Sequence, residues 1–177
     1  RLWRANVKRM EGEVVRDALL HLAGNLDPSI GGPELGVLAA ETSRRRTLYH
    51  RYARNERIPL LTAFDFANVE ECYRRAETVV PQQALALMNS AAVLNRADEI
   101  ARVVREDSGG DFVSRAFETI LVRPPTPAER RESEEALRRL EEILAREKPT
   151  EKASARTRAE AAFVHVLLNH NDFVTIR

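Results

Sequence analysis

Cysteine is almost missing: Cys72 is the one thiol in 177 residues. No internal disulfide can form, so a disulfide-held scaffold is excluded, while the compartment stays open. Long apolar runs are missing as well. None approaches the roughly 18 residues a helix needs to cross a bilayer. Neither sign of charge is in excess, since 28 Lys and Arg face 27 Asp and Glu. A net charge of +1 carries no polyanion-binding signature. Glycine spacing is uninformative: Gly31, Gly32 and Gly36 lie around Pro33 with no strand before them and fit neither phosphate-binding fingerprint. His165 and His170 are five apart, which puts them on different helix faces and argues against a shared metal. No internal repeat or low-complexity tract is present.

What remains is the profile of a helical globular chain, 44% hydrophobic and 31% charged, long enough to bury a core without staples. The expected fold is mainly α: an irregular bundle of about five to six helices with a long loop-rich segment and at most a short β element. The expected organisation is one domain, with a helix over 1–24, loops over 25–80, a helical core over 81–148 and a last helix over 154–172. From Leu2 to Leu22, apolar residues recur at Trp3, Val7, Met10, Val14, Ala18 and Leu22, predicting one amphipathic helix. Gly24 suits its left-handed cap. Leu60–Phe66 and Val69–Arg74 predict short helical turns. Pro81 predicts a helix start, and the broad apolar set from Ala84 to Val104 predicts a central buried helix running to about Asp107. Asp111 caps the next helix. Thr126-Pro127-Ala128-Glu129 is a capping box and the sharpest local signal in the chain. The helix after it is a charged outer one. Pro149–Ala155 reads as a linker, and Phe173–Ile176 as a terminal strand or extended tail.

Chemistry-bearing residues fall in two groups. On the first helix, Glu13, Arg16, Asp17 and His21 share a flank; Asp17 and His21, one turn apart, form either an acid–base unit or an ordinary intrahelical pair. The second group is Arg45, Arg46, Asp65, Cys72, Arg75, Gln83 and Asn89. Arg45, Arg46 and Arg75 suit an anion, Asp65 a base or an anchor for Arg75, and Gln83 and Asn89 polar contacts. Cys72 as a nucleophile needs a base, and His50 or His21 are the ones on offer. A structural use competes at each position: a buried thiol, a capping carboxylate, an amide tying down loop carbonyls. Arg44–Arg54 interleaves arginine with Tyr49 and Tyr52, which suits a nucleic-acid backbone, but no matching basic face exists elsewhere in the chain.

Several segments together resemble the planctomycete-type domain of unknown function numbered 1553. They are Arg9-Met10-Glu11-Gly12-Glu13-Val14-Val15-Arg16-Asp17-Ala18-Leu19-Leu20, Gly24-Asn25-Leu26-Asp27, Gly31-Gly32-Pro33, and Arg45-Arg46-Thr47-Leu48-Tyr49. Phe64-Asp65, Cys72, Arg74-Arg75, Pro81, Gln83-Ala84-Leu85 and Asn89 continue the likeness, as do Arg123-Pro124-Pro125-Thr126 and Leu168-Asn169, Asn171 and Phe173. Met10, Leu48 and Val79-Val80 depart from the residues usual there. The chain opens on Arg1-Leu2-Trp3 without an initiator Met, so the expectation is a piece of a longer protein, matching the C-terminal two-thirds of the family domain. The resemblance implies an exported protein, periplasmic or at the cell surface, with a sister domain numbered 1549 and a haem c module in cis. This chain has no Cys-x-x-Cys-His, so the haem would be held elsewhere. The resemblance carries no reaction. The residues offer no recognisable catalytic constellation, and the functional expectation is a non-catalytic accessory domain. The alternatives are a site for an anionic or saccharide ligand built from the Arg/Asp/Gln cluster, or nucleic-acid binding.

Overall fold

The computed structural model describes residues 8–36, 39, 42–51, 58–64, 81–147 and 152–176. The chain is mainly α, with seven α-helices among the described residues and one two-stranded sheet. In order they are β1 (Lys8–Arg9), α1 (Gly12–Leu22), a 3₁₀ turn (Thr47–Tyr49), α2 (Pro59–Ala63), α3 (Pro81–Asn89), α4 (Ala91–Asp107), α5 (Phe112–Leu121), α6 (Pro127–Glu147), α7 (Lys152–Leu168) and β2 (Thr175–Ile176). It divides into two compact units, one of residues 1–93 with 174–177, the other of residues 94–173. The expectations for Leu2–Val7, Val69–Arg74, Val80 and the first part of the 149–155 linker lie outside the described residues.

In the first unit, the predicted stripe on α1 is out of phase. Lys8 and Arg9 belong to a strand that pairs antiparallel with Ile176 and Thr175, and the helix begins only at Gly12. Val14 is 42% exposed, while Gly12, Val15, Arg16, Leu19 and Leu20 face inward. That set follows the same three-and-four spacing. It was hidden because its members include a glycine and an arginine. Gly12 lies against α2: a Cβ there would meet the Leu61 backbone at 3.1 Å and Phe64 Cβ at 3.2 Å. The helix ends as expected. Gly24 adopts φ +69°, its N–H donates to His21 O, and the Asn25 N–H donates to Leu20 O, the paired bonds of a Schellman cap.

The helix expected over Pro81–Asp107 is two helices with a break at Ser90. On α3 the inward residues are Gln83 and Leu87, one turn apart, whereas Leu85 and Met88 are half exposed. The apolar run there is broader than the face it buries.

In the second unit, α4 contributes Ala97, Ile100, Ala101 and Val104, and α5 contributes Phe112, Ala116, Phe117, Ile120 and Leu121. Phe163 of α7 packs between Phe112 and Phe117, with ring centroids 6.3 and 6.4 Å away. The Asp111 carboxylate accepts the Ser114 N–H at 3.2 Å, which pulls its pKa down and caps α5. Val122 ends α5 in the left-handed conformation, φ 56°. Thr126 and Glu129 form the reciprocal capping box at 2.7 and 3.3 Å. The last helix starts at Lys152, inside the segment expected to be a linker. Its Glu160 is 3% exposed and is held by Arg105 at 2.5 Å and Arg156 at 2.7 Å. A carboxylate buried that deeply is costly without such partners.

Candidate functional site

A charged pair on α1 organises the polar chemistry of the first unit. Arg16 occupies an inward position of the helix and is 8% exposed. A buried guanidinium must find acceptors, and a loop with unpaired carbonyls supplies them. Arg16 donates through Nη2 to Ser43 O at 2.7 Å, and through Nη1 to Arg45 O at 3.0 Å and Thr47 Oγ1 at 3.2 Å. Asp17 Oδ1 accepts from Thr47 twice, from the amide at 2.8 Å and from the hydroxyl at 2.5 Å. The Thr47 hydroxyl thus accepts from Arg16 and donates to Asp17, and Arg16 and Asp17 themselves lie 3.6 Å apart. The network gives Asp17 a partner in Thr47 through Oδ1, and His21 one turn on is exposed. Glu13 sits half-buried in the first turn.

The loop before the 3₁₀ turn is fastened a second time by Arg45. Its guanidinium donates to Gly31 O and to Pro33 O, the latter at 3.4 Å, and lies 4.0 Å from the centroid of the Tyr49 ring. The Tyr49 hydroxyl in turn accepts the Gly31 N–H at 2.9 Å. Backbone bridges join Asp27 to Arg45 and Leu35 to His50. Arg45 therefore directs Nη1 and Nη2 to carbonyls and leaves Nε without a partner, and Arg46 is exposed. Two of the planar donors of Arg45 are thus engaged by the loop rather than open to the expected anion. The arginine–tyrosine alternation is likewise an internal stack at Arg45 and Tyr49.

Gln83 is 2% exposed on the inner side of α3, and Asn89 is exposed at its end, so the two do not share a face. Asp65, Cys72 and Arg75 lie outside the described residues. Among the described residues, no cluster of three or more His, Cys, Asp or Glu has the arrangement to hold a metal ion, and no helix is long and apolar enough to cross a membrane.

In the second unit, Arg123 makes the densest charge contacts. It forks onto Glu129 at 2.7 and 3.0 Å and reaches Asp172 at 3.0 Å. These bonds raise its own pKa and, with the Thr126 amide, hold Glu129 at about 2. Its guanidinium also lies 5.5 Å from the Phe117 ring centroid. A groove of about 220 Å³ runs beside the start of α5, lined by Asp111, Phe112, Arg130, Glu134, Leu137 and Arg156. Arg130 is paired with both Asp111 and Glu134 there at 2.9 Å.

The family model described as PSD1, protein of unknown function (DUF1553), matches residues 1–137. The chain belongs to that family. No curated protein and no solved structure matches it. The match takes in every candidate residue named from the sequence, including Asp65, Cys72 and Arg75. It stops at Leu137, so the likeness at Leu168–Phe173 falls beyond it. Within this DUF1553 chain, the residue that sequence reading passed over is Thr47, and His50, named only as a base for Cys72, is buried with it. Thr47 carried no signal of its own, since its partners are thirty positions away on α1. Nothing local in the sequence marks His50 as buried.

Proposed function

We propose that this chain is a helical accessory domain without a reaction of its own, part of an exported multidomain protein of the planctomycete type. In that reading it packs in cis against a sister domain and a haem c module, and the haem is carried by that module. The observation that supports it most is the use made of Arg16, Asp17, Arg45 and Tyr49. Each of these polar side chains is turned onto the protein's own loop between Gly31 and Tyr49. A site for an anion or saccharide would need such donors aimed outward.

Limited proteolysis of the full-length exported protein tests this. Docked in cis, the domain is cut more slowly in the whole protein than alone. Equal cleavage rates in the two settings would remove the reading. Isothermal titration of the chain with sulfate and with simple sugars is the second arm; binding lost on Arg45→Ala would favour a ligand site instead.

A further inference from the structure

His50 closes the 3₁₀ turn, its amide donating to Thr47 O at 2.9 Å, and its backbone bridges to Leu35. The residue is 8% exposed, and neither Nδ1 nor Nε2 has a hydrogen-bond partner. A neutral imidazole carries one donor and one acceptor, and leaving both unmade in the interior is costly. The ring is therefore not held there by hydrogen bonds of its own. The charged groups that face it from α1 are Arg16 and Asp17. The Glu34–Arg51 pair, 4.0 Å apart, flanks its bridge with Leu35.

We propose that His50 is an acid-sensitive latch, whose protonation beside the buried Arg16 cation releases the 43–51 segment from α1. That segment is fastened to the helix by charge-assisted bonds, from Arg16 to the Ser43 and Arg45 carbonyls and from Thr47 to Asp17. An imidazolium three residues from Thr47 puts a second cation next to Arg16 in a place that water does not reach. Opening the segment lets the new charge hydrate. Burial foremost, and then Arg16, hold the closed imidazole near pKa 4, with Asp17 opposing. The open one titrates near its ordinary 6.5. Between those values the open state binds one more proton, so the closed state is fully favoured above pH 6.5 and loses ground as pH falls. The shift reaches about a hundredfold by pH 4.

Amide exchange of the intact chain, followed from pH 7 to 4 and corrected for intrinsic rates, reads this directly. Protection of the Thr47 amide should fall by about tenfold per pH unit below 6 in the natural chain, and stay level to pH 4.5 in His50→Gln. The same slope in both chains overturns the latch. Should His50→Gln not fold, the ring resonance of His50 in the natural chain decides. Titration near pH 4 together with loss of Thr47 protection supports the latch, and titration near 6.5 with Thr47 still protected overturns it.

Discussion

Arg16 shows what a buried charge does when its acceptors are backbone carbonyls. Replacing it with Met keeps the stem's packing but strips Ser43 O and Arg45 O of their donor and leaves Asp17 without its neighbour. Arg16→Met should destabilise the first unit by about 1–3 kcal/mol, because two part-buried carbonyls lose their donor. Arg16→Lys should recover only part of this, since one ammonium cannot match a fork that reaches two carbonyls and a hydroxyl. Urea unfolding followed by circular dichroism gives both values. Gly12 makes a second case, in which local preference and packing point opposite ways. Helix propensity alone favours alanine over glycine by about 1 kcal/mol. At 3.1 Å from the Leu61 backbone, though, a methyl forces α1 and α2 apart, and backbone yields less readily than a side-chain tip. Gly12→Ala should therefore lower stability by about 1 kcal/mol net, and a rise in the urea midpoint would refute the packing argument. Neither residue could be weighed correctly from sequence. The stripe was sought among apolar residues, and both inward positions that it missed acquire their meaning from α2 or from the loop carbonyls.

Helix ends were the most legible part of the chain, because their partners lie within a few residues. The Gly24 cap, Asp111 and the Thr126–Glu129 box all form as local chemistry dictates. The sequence could not show that Glu129 serves two masters, since Arg123 reaches it from the preceding loop while also holding Asp172. Glu129→Gln keeps an oxygen for the Thr126 amide but removes the charge that Arg123 grips. The pair is partly exposed and screened, so the loss at pH 7 should be about 1 kcal/mol. Its pH dependence is more diagnostic. Glu129 has its pKa depressed to about 2 by Arg123 first and the Thr126 amide second. Its contribution is thus complete above the ordinary value of 4.5 and drains away as pH falls toward 2. The gap between the natural chain and Glu129→Gln should be full at pH 7 and narrow steadily below pH 4.5. A gap unchanged at pH 2.5 would mean that the charge contributes nothing. The two-residue strand Lys8–Arg9 is the opposite kind of element. Its partner comes from the far end of the chain, and no local pattern announces it.

At the scale of the whole molecule, the family match and the packing do not share a boundary. The match ends at Leu137, within α6. Leu137 is itself buried, and α7 lies beyond it, supplying Ala159, Phe163, Val164 and Leu168 to the core of the second unit. Cutting there would also remove Thr175 and Ile176, the partners of Lys8 and Arg9. A chain of residues 1–137 would expose Phe112 and Phe117 where Phe163 now covers them. Removing α7 forfeits on the order of 1.5–3 kcal/mol for each large apolar side chain no longer buried, more than a unit of marginal stability can absorb. The truncated chain should bind a hydrophobic dye and be cleaved by trypsin first between Leu94 and Leu137, while the full chain resists. Comparable resistance in the two chains would show that α4–α6 fold without α7, and that the matched range is itself a folding unit.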